Sequence, residues 1–136
     1  MSPARFLLDT NICIYIRRRR PQAVLARFRQ LKPGEAVLSV ITYGELAYGA
    51  EKSQFRERAR RQLAELAGLL PVLELPSRAG EFYGSIRATL AARGDMIGNN
   101  DLWISAHAKA AGFILVTNNE REFRRIDGLE IQNWAE

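Results

Sequence analysis

The chain has 136 residues, 47% of them hydrophobic, enough to bury one core and too few for two ordinary domains. Cys13 is the single cysteine, which excludes an internal disulfide, and no apolar run approaches the roughly 18 residues that a membrane span requires. The net charge is +5 and 17 of the 20 basic residues are arginine, a side chain shaped for bidentate phosphate contact; a polyanionic partner and an arginine-rich coding bias account for this equally well.

One domain over residues 1–136 and a cytoplasmic location are therefore the expectations. At the amino end the apolar stretch Phe6-Leu7-Leu8 is stopped by Asp9, too early for a signal peptide, and reads as a strand over 5–8. Ile12, Ile14, Tyr15 and Ile16 predict a buried helix after it. Pro21 opens a second helical stretch with Val24, Leu25, Phe28 and Leu31, closed by Pro33-Gly34. A buried strand is expected over 36–39, then two helices over about 41–52 and 54–70 as a hairpin. Val72-Leu73 is a short strand, and Phe82, Ile86 and Leu90 mark a helix over 79–93. The loop 94–100 leads into a buried helix over 101–111, followed by strands over 113–116 and 129–132 with a turn at 117–119 between them. Strands alternating with helices predict a three-layer α/β fold. Its central sheet is mostly parallel, with four or five strands flanked by helices, because parallel neighbours need crossover connections.

Sheets of this kind bind and react at the carboxyl ends of their strands. Asp9 ends the first strand, Glu45 lies about one and a half turns into the helix after the second, and Asp101 opens the helix before the strand over 113–116. The turn after that strand adds Asn118, Asn119, Glu120 and Glu122. Taken singly these acids have plain explanations, Asp9 and Asp101 as helix caps and Glu45 as a solvated helix residue. Gathered in one cleft, they ionise together near neutral pH only with a cation between them. All-oxygen ligands suit Mg2+, with Mn2+ as a substitute, and Cys13 with His107 gives no zinc spacing. Such a metal activates water and stabilises a phosphodiester under attack. No G-x-x-x-x-G-K-[ST] cradle and no G-x-S-x-G elbow is present.

Four stretches resemble, in order, the motifs of VapC toxins, endoribonucleases of the PIN-domain family. They are Leu7-Leu8-Asp9-Thr10-Asn11; Ser39-Val40-Ile41-Thr42-Tyr43-Gly44-Glu45-Leu46; Ile97-Gly98-Asn99-Asn100-Asp101-Leu102-Trp103-Ile104-Ser105-Ala106-His107-Ala108; and Leu115-Val116-Thr117-Asn118-Asn119 with Glu122-Phe123. The resemblance implies a PIN-like fold and a magnesium-dependent ribonuclease site with Asp9, Glu45 and Asp101 as metal ligands. Thr10 and Asn11 would support the acidic cluster, and Thr117 matches a strand-end hydroxyl near it. It also implies an RNA substrate, often a transfer RNA, a VapB-like antitoxin and a homodimer. Many PIN domains carry a fourth acid, often aspartate, after the last motif strand. Here Asn118 and Asn119 stand there; Asn119 takes that place in the catalytic set, with Glu120 or Glu122 supplying the charge.

The basic run Arg17, Arg18, Arg19 and Arg20, and Arg121 after the last motif, fit RNA phosphates beside the cleft as well as they fit solvated helix ends. His107 reads as a structural histidine in a buried helix. The alternative function is a catalytically degenerate PIN-like binding module. A receiver-like phosphoacceptor fits less well, since Asp9 has no acidic neighbour and Lys109 precedes its strand instead of following it.

Overall fold

The computed structural model describes residues 3–136; Met1 and Ser2, the start of the expected domain, lie outside the described residues. The chain runs β1 (Phe6–Leu8), α1 (Thr10–Arg18), α2 (Gln22–Arg29), β2 (Ala36–Ser39), α3 (Val40–Glu51), α4 (Arg56–Leu69), β3 (Val72–Leu73), α5 (Ala79–Arg93), α6 (Asn99–Ala111), β4 (Ile114–Val116), α7 (Glu120–Phe123) and β5 (Ile131–Gln132). The strands form one sheet in the order β3-β2-β1-β4-β5. Every neighbouring pair is parallel, with Phe6 opposite both Ala36 and Ile114. The sheet is thus wholly parallel where a mostly parallel one was expected.

Side chains alternate across each strand, so one sheet splits the apolar residues into two cores. Phe6, Leu8, Leu38 and Val116 face α1 to α4 and pack with Ile12, Leu46, Leu63 and Trp134. Leu7, Val37 and Leu115 face the other way, onto Ile86 and Leu90 of α5, Leu102 and Ile104 of α6, and Phe123. This double covering explains why β1 is buried at all three positions. Leu115 is fully buried between Leu7 and Ile131 on neighbouring strands. Leu115→Ala is expected to cost about 2–5 kcal/mol, read from urea denaturation midpoints, through lost transfer energy and the cavity left behind.

Helix ends follow local chemistry. Asp9 and Ser39 cap α1 and α3 with side-chain oxygens, while Gly94 and Gly112 end α5 and α6 at φ of 70° and 73°, where glycine carries no penalty. Two elements depart from the sequence reading. Helix α6 begins at Asn99 instead of Asp101, and α7 was not foreseen, because a single turn of helix shows no hydrophobic period. Among the described residues no helix is long and apolar enough to cross a membrane.

Candidate metal centre

Because all strands are parallel, the chain leaves β1, β2 and β4 at the same edge of the sheet, and polar side chains at those exits are brought together. Asp9 follows β1 and is buried to 6% exposure. Its Oδ1 accepts the amide of Ile12 at 3.0 Å and its Oδ2 accepts the hydroxyl of Thr117, at the end of β4. Burial pushes its pKa up, opposed by the Thr117 and Ile12 hydrogen bonds, while the charge of Glu45 pushes the same way as burial. Glu45 reaches the site from α3, its Oε1 accepting the Thr10 hydroxyl at 2.8 Å. Thr10 and Thr117 therefore each hold one acid.

Asp101 lies in the first turn of α6. A helix amino terminus favours a carboxylate, yet the pKa of Asp101 is raised from 3.8 to about 7. Burial is the largest cause, followed by a hydrogen bond to Glu122 and then by the charges of Glu122, Glu45 and Asp9. Four acids from four separate segments thus act on one another at a single edge, and one of them keeps a proton near neutrality as a result.

The segment after β4 divides its residues between two tasks. Asn119 donates its amide to Thr117 Oγ1 at 2.9 Å and its side chain to Glu122 Oε2 at 2.5 Å, aiming Glu122 from the turn. Glu120 is bound instead to Arg124 at 2.7 Å and to the Asn133 side chain at 3.1 Å. Of the two glutamates it is Glu122 that acts on Asp101. Glu120, expected in the catalytic set, is held by Arg124 and Asn133 at the first residue of α7. Asn118 accepts from the Asn11 side chain at 3.4 Å and donates to the Tyr15 hydroxyl at 2.7 Å, tying the turn after β4 to helix α1.

The arginine run lies at the end of α1 opposite Asp9. Helix α1 starts next to Asp9 and carries Arg17 and Arg18 to its last turn, roughly 13 Å along the axis at 1.5 Å per residue. Arg17 and Arg18 line a cavity with Phe55 and Arg58, while Arg19 and Arg20 are exposed beyond them. Arg121 is exposed on α7. Cys13 is sealed, its thiol pushed well up by burial and by the charge of Asp9, so it offers no reactive sulfur. His107 is 1% exposed, is lowered in pKa by burial, and pairs through Nδ1 with the Ser39 hydroxyl at 2.9 Å. Ser39 and Tyr15 were missed by sequence reasoning. A serine ahead of a helix signals a cap, but nothing along the chain signals its second partner.

Among the described residues no three Asp, Glu, His or Cys side chains already stand at ligating distance of a common point. The acids interact through charge and through the Asp101–Glu122 hydrogen bond. On chemistry the donor set fits a hard divalent cation: the donors are carboxylate oxygens, their charge is in excess, and in the metal-free chain a proton offsets part of it.

Comparison with known proteins gives a consistent result. The PIN domain family model matches residues 6–129. Ribonuclease VapC2 of Haemophilus influenzae is 43% identical over 131 residues, covering 96% of this chain and 98% of that protein. The tRNA(fMet)-specific endonuclease VapC of Shigella flexneri is 42% identical over 131 residues, with the same coverage. In the crystal structure of VapBC2 from Rickettsia felis bound to a promoter DNA fragment, the matching chain superposes with a TM-score of 0.89 at 35% identity, covering 98% of this chain and 99% of that one.

Proposed function

The chain belongs to the PIN-domain family, among its VapC ribonucleases, and from this we propose that it is a toxin whose acidic edge hydrolyses RNA with Mg2+, Mn2+ substituting. The observation that carries the site assignment is the convergence of Asp9, Glu45 and Glu122, each held by its own hydrogen bonds, on Asp101 at one edge of the sheet. Asp9, Glu45, Asp101 and Glu122 would hold the cation. When bound, such an ion lowers the pKa of an attached water and stabilises the negative charge of a phosphodiester under attack.

The protein's own part is positioning. Thr117 and the Ile12 amide fix both oxygens of Asp9, Thr10 fixes Glu45, and Asn119 fixes Glu122. Three of the four acids are thereby pre-set by neutral donors that neither compete for the cation nor titrate with it. Glu122 supplies the charge that the asparagines after β4 lack. That favours an active nuclease over a degenerate binding module of the same fold.

The Shigella flexneri relative is named for cleaving tRNA(fMet), which supports a transfer RNA as the substrate class here. The Rickettsia felis neighbour is a VapBC2 assembly, which supports a VapB-like antitoxin as the partner. The protein is further proposed to act as one domain over residues 1–136 and as a homodimer, consistent with the exposed Val40 and Tyr48 on α3.

The reading is tested by incubating the purified protein with bulk transfer RNA and sequencing the ends produced. Discrete cleavage that stops on chelation and resumes with excess Mg2+ or Mn2+ is expected. Cleavage that persists through chelation would show a chemistry without a metal and overturn it.

A further inference from the structure

Among the described residues six polar side chains are buried, Asp9, Ser39, Thr42, Ser105, His107 and Thr117, and they gather at the reactive edge of the sheet and along α6. Most of their bonds serve the acids directly or close a helix turn. The Thr117 hydroxyl holds Asp9, and the Ser105 hydroxyl bonds the Asp101 carbonyl at 2.7 Å. The bond between His107 and Ser39 does neither. It joins two elements that are 68 positions apart in sequence.

Ser39 ends β2 and caps α3, its Oγ accepting the Ile41 amide at 3.2 Å. His107 lies on α6. Glu45 follows Ser39 by six residues on α3, and Asp101 precedes His107 by six on α6, about 9 Å of helix in each case. One buried hydrogen bond therefore ties the element carrying Glu45 to the element carrying Asp101. Those two acids carry like charges at the same edge of the sheet, on helices that pack against each other. Two packed helices bearing like charges at a shared cleft are pushed apart, and a fixed bond between their supports opposes that motion.

We propose that His107, acting through Ser39, is a positioning residue that sets the separation of Glu45 and Asp101 and thereby the affinity for the divalent ion. The proposal rests on the metal-site reading above. Neither residue touches the ion or the RNA. A histidine that merely filled the core would affect folding alone, whereas a strut between the two acids affects cation binding in a protein that remains folded. Partners that orient metal-binding groups change affinity by roughly 10–100-fold when removed, and a more distant strut belongs at the lower end of that range.

The experiment measures Mn2+ binding by calorimetry on the full-length protein without RNA, with thermal melting of each variant alongside. His107→Phe keeps the ring volume and removes the bond; its Mn2+ dissociation constant is expected to rise about tenfold. His107→Asn, which places a polar atom near the Nδ1 position, is expected to remain within about twofold of the parent protein. Ser39→Ala is expected to weaken Mn2+ binding like His107→Phe, and the double variant to be no weaker than either single change, as for two partners in one bond. His107→Phe and Ser39→Ala that melt lower but bind Mn2+ as the parent does would overturn the strut. Should His107→Phe fail to fold, Ser39→Ala decides the matter alone. Asp101→Asn, run in parallel, separates the two readings. If it too binds Mn2+ normally, the metal site itself is misplaced; if it loses binding while the His107 and Ser39 variants keep it, only the strut fails.

Discussion

Asp101→Asn is expected to reduce RNA cleavage by at least roughly 10^3-fold while leaving the metal-free protein more heat-stable than the parent. The two effects have one cause. Asparagine keeps the shape of the side chain and its place in the first turn of α6, so the fold has no reason to change. It removes the carboxylate that burial and the charges of Glu122, Glu45 and Asp9 act against, so the metal-free chain loses a repulsion. It also removes a charged oxygen donor from the cation site, and an amide oxygen ligates hard divalent ions less well. Cleavage of transfer RNA and melting temperature, measured on the same preparation, check both halves. A variant that melts higher and cleaves normally would show that Asp101 repels its neighbours without serving the chemistry; one that melts much lower would make its lost activity uninformative about the site.

The layered fold was legible because buried parallel strands read as short apolar runs and the helices between them keep their period. The strand Ala36–Ser39 and the helix Ala79–Arg93 stand where patterning places them. Asp9, Glu45 and Asp101 were legible as a group because parallel topology sends successive strand ends to one edge. Which glutamate joins them was not. Glu120 and Glu122 lie two positions apart, and only the short helix α7, invisible to periodicity, turns Glu122 toward Asp101 and Glu120 toward Arg124. The arginines at 17–20 stand at the end of α1 and just past it, as their sequence position implies, and a basic helix end fits RNA phosphates and solvent alike. The pairing of Ser39 with His107 leaves no local trace, because each residue has a sufficient explanation on its own, as a cap and as a core histidine.

Mn2+ affinity is expected to climb about tenfold per pH unit up to pH 7 and to level off above pH 8. Asp101 holds a proton up to about pH 7 in the folded, metal-free chain, against 3.8 as its ordinary value. Ligation needs the carboxylate, so below pH 7 each bound ion must displace that proton, and binding at pH 5 is roughly 100-fold weaker than the plateau. The sign for stability follows from the same shift. Between about pH 4 and pH 7 the folded chain retains a proton that the unfolded chain has released, so raising the pH through this window destabilises the metal-free protein. Asp9, raised chiefly by burial, contributes in the same direction. His107 is lowered by burial, so its contribution has the opposite sign: stability present above its ordinary 6.5 is lost as the pH falls through its depressed value. The two trends oppose each other in a melting curve, whereas the protons released on binding report the acids that ligate the ion. Calorimetry across pH 5 to 8 in two buffers of different ionisation enthalpy measures both the affinity and the proton released. A flat affinity across that range with no proton release would mean that Asp101 is already ionised in the metal-free chain, and the charge crowding inferred at this edge would have to be abandoned.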